Sequence, residues 1–183
     1  MIVLGLDIST SITGYCLINT EMPLGNRLII CDSIIMSKEK DSYAKSVKVR
    51  DVFKDLGKNY NIDVICVEEN LQAFRRGLSS AKTLSTLARF NGIVTFLAQD
   101  TLQTNVKMIN VNTARKQAGL KVDRKSEVTI KEQVLAWVKL QPDFEGYDWP
   151  TKILKSGPRK GMEIQAPQCY DIADAAVVAL SYS

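Results

Sequence analysis

Two short apolar runs each end on a carboxylate, and this pattern restricts the fold more than any other in the chain. Ile2-Val3-Leu4-Gly5-Leu6 leads into Asp7, and Val64-Ile65-Cys66-Val67 leads into Glu68. A strand that is apolar at every position is covered on both faces, which belongs to a layered α/β sheet. Charge at the end of such strands marks the edge of the sheet where sites form. A further acidic pair, Asp171 and Asp174, stands in the otherwise apolar segment 170–180, which reads as a helix. One turn apart, the two share a helical face. Carboxylates on buried elements are costly unless a cation sits among them, and hard oxygen donors suit Mg²⁺ or Mn²⁺.

The chain contains no histidine. That excludes Ser-His-Asp and Cys-His catalysis and any histidine-ligated metal. The four cysteines, Cys16, Cys31, Cys66 and Cys169, are widely spaced and form no CxxC pair, so they read as buried reduced thiols. At 183 residues, 45% hydrophobic and 24% charged, the composition is that of one globular domain of ordinary polarity. No run approaches the roughly 20 apolar residues of a membrane span, and Met1 leads directly into a strand without the basic flank of a signal peptide. A cytoplasmic protein is expected.

The net charge of +4 is unevenly spread. Arg115, Lys116, Lys121, Arg124, Lys125 and Lys131 crowd segment 115–131 against only Asp123 and Glu127, and Arg75-Arg76 and Arg159-Lys160 form two shorter clusters. A solvated helix face explains any one cluster, while several beside an acidic site better suit a phosphate backbone.

Residues 2–7, 13–19 and 27–36 read as three strands in a meander, with Ser9-Thr10-Ser11 as the first turn. A helix is expected over 42–60, then the strand ending at Glu68, a loop carrying Phe74, Arg75 and Arg76, and a long helix over 80–99. A strand over 106–111, a short helix over 113–119 and a helix over 125–140 follow. Segment 142–167 shows scattered Gly, Pro and charge without a period and reads as a loop or insertion. The order predicts a five-stranded mixed sheet, three antiparallel strands plus two parallel ones, flanked by helices. The first and fourth strands can then be neighbours, which brings Asp7 to Glu68.

This pattern resembles the RNase H-like superfamily, and within it the RuvC-type Holliday junction resolvases, particularly compact phage-borne members. The resemblance is carried by Leu4-Gly-Leu-Asp7-Ile-Ser-Thr-Ser-Ile-Thr-Gly14-Tyr, Val67-Glu68-Glu69, Ser80-Ala81 to Ala88-Arg89, and Asp171-Ile-Ala-Asp174-Ala-Ala. It spans nearly the whole chain, with 142–167 as the stretch lacking a counterpart. It implies an endonuclease in which Asp7, Glu68, Asp171 and Asp174 bind two Mg²⁺ ions and cut phosphodiester bonds. Asp7 would bridge the ions, Glu68 would hold one, and Asp171 with Asp174 the other. Lys131 is a candidate assistant. The loop after Glu68 would probe the junction centre through an aromatic residue; Phe74 is the aromatic candidate and Leu71 the nearer position. Helix 80–99 would form the interface of a homodimer, whose two sites cut the two strands of a four-way junction symmetrically. Arg75, Arg76, Arg115, Lys116, Lys121, Arg124, Lys125, Lys131, Arg159 and Lys160 would contact DNA, with no nucleotide cofactor.

The acidic set does not separate a junction resolvase from a nuclease of RNA–DNA hybrids or flaps, or from a non-catalytic junction-binding protein. The Leu4–Ser11 stretch also resembles the first phosphate loop of actin-like sugar kinases. That fold needs a second lobe and a second phosphate loop, for which the sequence offers no room.

Overall fold

Alternation within the apolar runs decides which side chain meets which helix. The computed structural model describes residues 1–69 and 81–182. Its main sheet has five strands: β1 (Ile2–Ile8), β2 (Ile12–Asn19), β3 (Leu28–Ile35), β4 (Val64–Glu68) and β5 (Val106–Ile109). Their spatial order is β3-β2-β1-β4-β5, with β1–β2 and β2–β3 antiparallel and β1–β4 and β4–β5 parallel. The expected mixed sheet is the one observed. Ser9 closes the β1–β2 turn, its hydroxyl donating to the Ile12 carbonyl at 2.6 Å and accepting from the Ile12 amide at 3.1 Å.

Helices cover both faces. Leu4, Leu6, Ile65 and Val67 point to one side and pack in a core with Val49, Phe53 and Leu56 of α1 (Ser42–Asn59) and Phe90, Val94 and Ala98 of α2 (Ala81–Leu102). Val3, Cys16, Val64 and Cys66 point to the other. They meet α3 (Val111–Gln117), α4 (Ile130–Lys139) and α5 (Cys169–Leu180) through Ala114, Val134, Val138, Ile172 and Ala176. Each large side chain enclosed this way contributes roughly 1.5–3 kcal/mol. All four cysteines are buried and unpaired, as expected. No helix among the described residues is long and apolar enough to cross a membrane.

Several elements differ from expectation at their ends; the strand expected over 106–111 stops at Ile109, since Asn110 caps the helix that follows. The helix expected over 125–140 starts later, at Ile130, because Thr129 accepts the Glu132 amide while Glu132 accepts from the Thr129 amide. This reciprocal cap outweighs the helix propensity of the basic residues before it. Lys121, Arg124 and Lys125 therefore lie on a loop. The helix expected over 113–119 is shifted to Val111–Gln117, since the Asn110 side chain caps it by accepting from the Asn112 amide. The long second helix runs past 99 to Leu102.

Segment 142–167 is more regular than expected. A 3₁₀ turn at Pro142–Phe144 leads into a two-stranded antiparallel hairpin, β6 (Thr151–Ile153) and β7 (Glu163–Gln165). Its root is pinned from outside the segment. Asp143 is buried and accepts from the guanidinium of Arg27 at 2.7 Å and from the amides of Gly25 and Arg27 at 2.9 and 3.0 Å. Tyr147 donates to the Cys31 carbonyl at 2.6 Å, and its ring meets Trp149 edge-on at 4.9 Å. Arg27 lies 116 residues away in sequence, so no local period announces this order.

Candidate active site

Strand alternation puts Asp7 on the face of Val3 and Gly5, and Glu68 on the face of Val64 and Cys66, both toward α5. The parallel register Leu6↔Val67 makes the two carboxylates neighbours one step further along. Glu69 is exposed, and its amide donates to the Ile109 carbonyl. The acidic residue at the site is thus Glu68, not its neighbour.

Two glycines let α5 lie directly on the strands. Gly14 stands opposite Asp7 in the β1–β2 ladder, and a Cβ there would sit 2.0 Å from the Asp171 carbonyl oxygen. At Gly5 it would sit 2.4 Å from the Ala175 carbonyl oxygen. Any side chain would lift the helix, and with it Asp171 and Asp174, away from Asp7. Asp171 occupies the first turn of α5, where the helix dipole favours an anion. Asp174, one turn on, lacks that support and forms an ion pair with Arg115 of α3 at 3.6 Å.

The four carboxylates sense one another. Burial lifts the Asp7 carboxyl well above its usual range, and repulsion from Glu68, Asp174 and Asp171 lifts it further, against a smaller opposing pull from Lys131. Glu68 is pushed up to about 7, by burial first and then by Asp174, with Arg115 and Lys131 acting against the rise. Asp171 and Asp174 are also raised by burial; Lys131 opposes this at Asp171, and Arg115 and Lys131 oppose it at Asp174. Lys131 therefore acts on all four. Four half-buried acids against two cations is an incompletely compensated cluster.

Hard, anionic oxygens of this kind match Mg²⁺ or Mn²⁺ in donor chemistry, and an added cation would relieve the repulsion. As the side chains stand, no group of three or more carboxylates or thiols among the described residues is arranged to hold a metal ion. The acids meet as an electrostatic cluster rather than a closed shell.

Of the basic residues expected to contact DNA, Arg115 and Lys131 belong to the acidic cluster itself. Sequence reading missed this pairing for Arg115, because the contact joins α3 to α5 across 59 positions and leaves no local signal. Lys116 and Lys121 are exposed beside the cluster and, with Asn112 and Arg115, line a cleft of about 190 Å³. Arg124 and Lys125 are exposed on the adjoining loop, and Arg159 and Lys160 at the tip of the β6–β7 hairpin. Leu71, Phe74, Arg75 and Arg76 lie outside the described residues.

No protein-family model matches the chain, and no curated protein matches it in sequence. Solved structures do. RuvC of Thermus thermophilus in complex with a Holliday junction substrate superposes with a TM-score of 0.61 at 16% identity, covering 99% of this chain and 91% of that one. The chain has the RuvC-type fold. The yeast mitochondrial Holliday junction resolvase Ydc2 gives 0.55 at 15% identity over 98% of this chain and 76% of that one. Fowlpox virus resolvase, solved with substrate Holliday junction DNA, gives 0.52 at 19% identity over 100% and 96%. Within the RuvC-type fold, Asp7, Glu68, Asp171 and Asp174 cluster at one end of the sheet, where the β1 and β4 chains emerge.

Proposed function

We propose that the chain is a structure-selective endodeoxyribonuclease that resolves four-way or branched DNA junctions by hydrolysing phosphodiester bonds. The observation that carries this is the gathering of Asp7, Glu68, Asp171 and Asp174, from three separate segments, onto one face of a RuvC-type fold. These four side chains would hold the divalent ions, Mg²⁺ or Mn²⁺. When bound, such ions supply a hydroxide nucleophile and stabilise the departing 3′ oxygen. With no histidine in the chain, no imidazole base is available to share that work.

The chain's own contribution beyond ligation is electrostatic. Arg115 is half-buried and ion-paired with Asp174 at 3.6 Å, which holds a fixed positive charge beside the acids. Lys131 is exposed and within the field of all four acids, which suits a group that meets the scissile phosphate from solvent. Lys116, Lys121, Arg124 and Lys125 extend this positive border along the cleft. Contacts of that type give affinity without reading sequence. Phe74, or Leu71, would meet the junction centre, and Arg75 and Arg76 its strands. The second cut would come from a second copy in a homodimer built on α2, whose Ile93 and Phe96 are 38% and 66% exposed.

The test is cleavage of a synthetic four-way junction, a flap, a duplex and an RNA–DNA hybrid in Mg²⁺. Paired nicks in the junction are expected, and none once the metal is chelated. Asp7→Asn should lower cleavage by at least about a thousandfold while junction binding persists, because it removes a ligand oxygen and not the basic border. Retained cleavage in that variant overturns the site. Preference for the hybrid or the flap reassigns the substrate within the same chemistry, and binding without any cleavage makes the protein a junction-binding module.

A further inference from the structure

The β6–β7 hairpin is a projecting, positively charged ribbon that the cleavage chemistry does not use. Its strands pair Thr151↔Gln165, Lys152↔Ile164 and Ile153↔Glu163, and the ladder continues through Leu154 and Met162 at 3.0 Å. Gly157 and Gly161, with φ of +81° and +87°, allow the chain to reverse at the tip. Lys152, Lys155, Arg159 and Lys160 are all exposed, and none forms an ion pair with a described residue. The acid in the strands, Glu163, is already engaged by the Thr151 hydroxyl. Ile153 and Met162 add apolar surface at 65% and 53% exposure.

Such a hairpin would normally be too short to hold a shape in water. Here its root is clamped. Lys139 of α4 donates to Gln165 at 2.7 Å and lies over the Trp149 ring at 5.4 Å, and the Ala166 amide donates to the Pro150 carbonyl at 2.9 Å. Behind these stand the Phe144, Tyr147 and Trp149 rings and the buried Asp143–Arg27 pair. A rigid stem that carries unpaired cations is arranged to meet an outside anion.

Its place relative to the acidic cluster narrows what that anion is. β7 runs through Ala166 and Gln168 straight into α5, so the six steps from Gln165 to Asp171 keep the root within about 20 Å of the site. One turn of duplex DNA is about 34 Å long. A duplex arm that leaves the site on the hairpin's side would pass it within its first turn, and the major groove admits a two-stranded ribbon. We propose that the β6–β7 hairpin seats in a groove of a duplex arm of the branched substrate, with Lys152, Lys155, Arg159 and Lys160 on the flanking phosphates. This rests on the reading of the site as a nuclease of branched DNA.

Two measurements on the full chain test it. In K155Q/R159Q/K160Q, affinity for a four-way junction should fall about tenfold near physiological salt, and the slope of log affinity against log salt should drop by roughly 2–3, close to 0.9 per lost phosphate contact. Because the native cysteines are buried, S156C offers a single reactive thiol at the tip for a photo-crosslinker. It should mark duplex within about 10 base pairs of the branch point. Wild-type affinity and salt slope in the triple variant, crosslinks confined to the branch centre, or crosslinks to a second copy or another protein would each overturn the hairpin's role while leaving junction cleavage intact. A wild-type protein that binds no branched DNA overturns the nuclease reading and this proposal together.

Discussion

Glu68 shows how a single side chain sets stability against function. Its carboxyl titrates near 7 in the fold and near 4.5 in an unconstrained chain. Between those values the native state keeps a proton that the unfolded state has released, so the native state binds more protons and stability falls as pH rises. Below about 4.5 the penalty is absent, and above about 7 it is complete. Asp7, Asp171 and Asp174 are shifted in the same direction, so they act in the same sense. Metal-free protein should therefore lose melting temperature across this window. Mg²⁺ should raise the melting temperature more at about pH 8 than at about pH 5, since only ionised carboxylates ligate it. Glu68→Gln should stabilise the metal-free protein at about pH 8, blunt the Mg²⁺ response and reduce cleavage. Differential scanning calorimetry with and without the ion decides this; a Mg²⁺ response independent of pH would remove the carboxylates from the account.

Among the elements, α5 rests directly on the sheet. It lies on β1 and β2 at Gly5 and Gly14, and those two contacts set where Asp171 and Asp174 stand relative to Asp7. Gly14→Ala would place a methyl group 2.0 Å from a backbone oxygen that has no soft side chain to yield. We expect a loss of about 3 kcal/mol or more in urea unfolding, with cleavage lost even where the variant remains folded, because the helix must rise off the sheet. A Gly14→Ala variant of wild-type stability and activity would show that α5 docks less closely than described. The hairpin root shows the same dependence on distant contacts. Asp143 is buried and tolerable there because Arg27 and two amides meet it, and removing one member of such a pair typically costs 3–5 kcal/mol.

For the whole molecule, one sheet end presents a negative cluster bordered by cations, and a separate face of α2 presents Ile93 and Phe96, three positions apart on one side of the helix. The two side chains form a small apolar patch on α2, and a junction offers two equivalent strands to cut. Sedimentation should give a dimer, and Phe96→Glu should shift it toward monomer and convert paired cuts into single nicks. A wild-type monomer on junction DNA would disconnect the α2 face from function.

The strands, their both-faces-buried character and the four carboxylates are local properties, and they were legible because each shows in a run of adjacent residues: Val64 to Glu68, Ile2 to Asp7, the apolar turns around Asp174. The capping box Thr129-x-x-Glu132 was also a local signal, and it places the start of α4 where the basic residues alone mislead. Other features had no such signature. Arg115 reads as one more surface cation until α3 sets it against Asp174, and segment 142–167 reads as irregular until Arg27, Cys31 and Lys139 hold it from outside. Periodicity and end-charges report what a residue's immediate neighbours require. Which acid is compensated, which cation is left free and how closely a helix rests on a sheet depend on residues far apart in the chain, and folding alone brings those together.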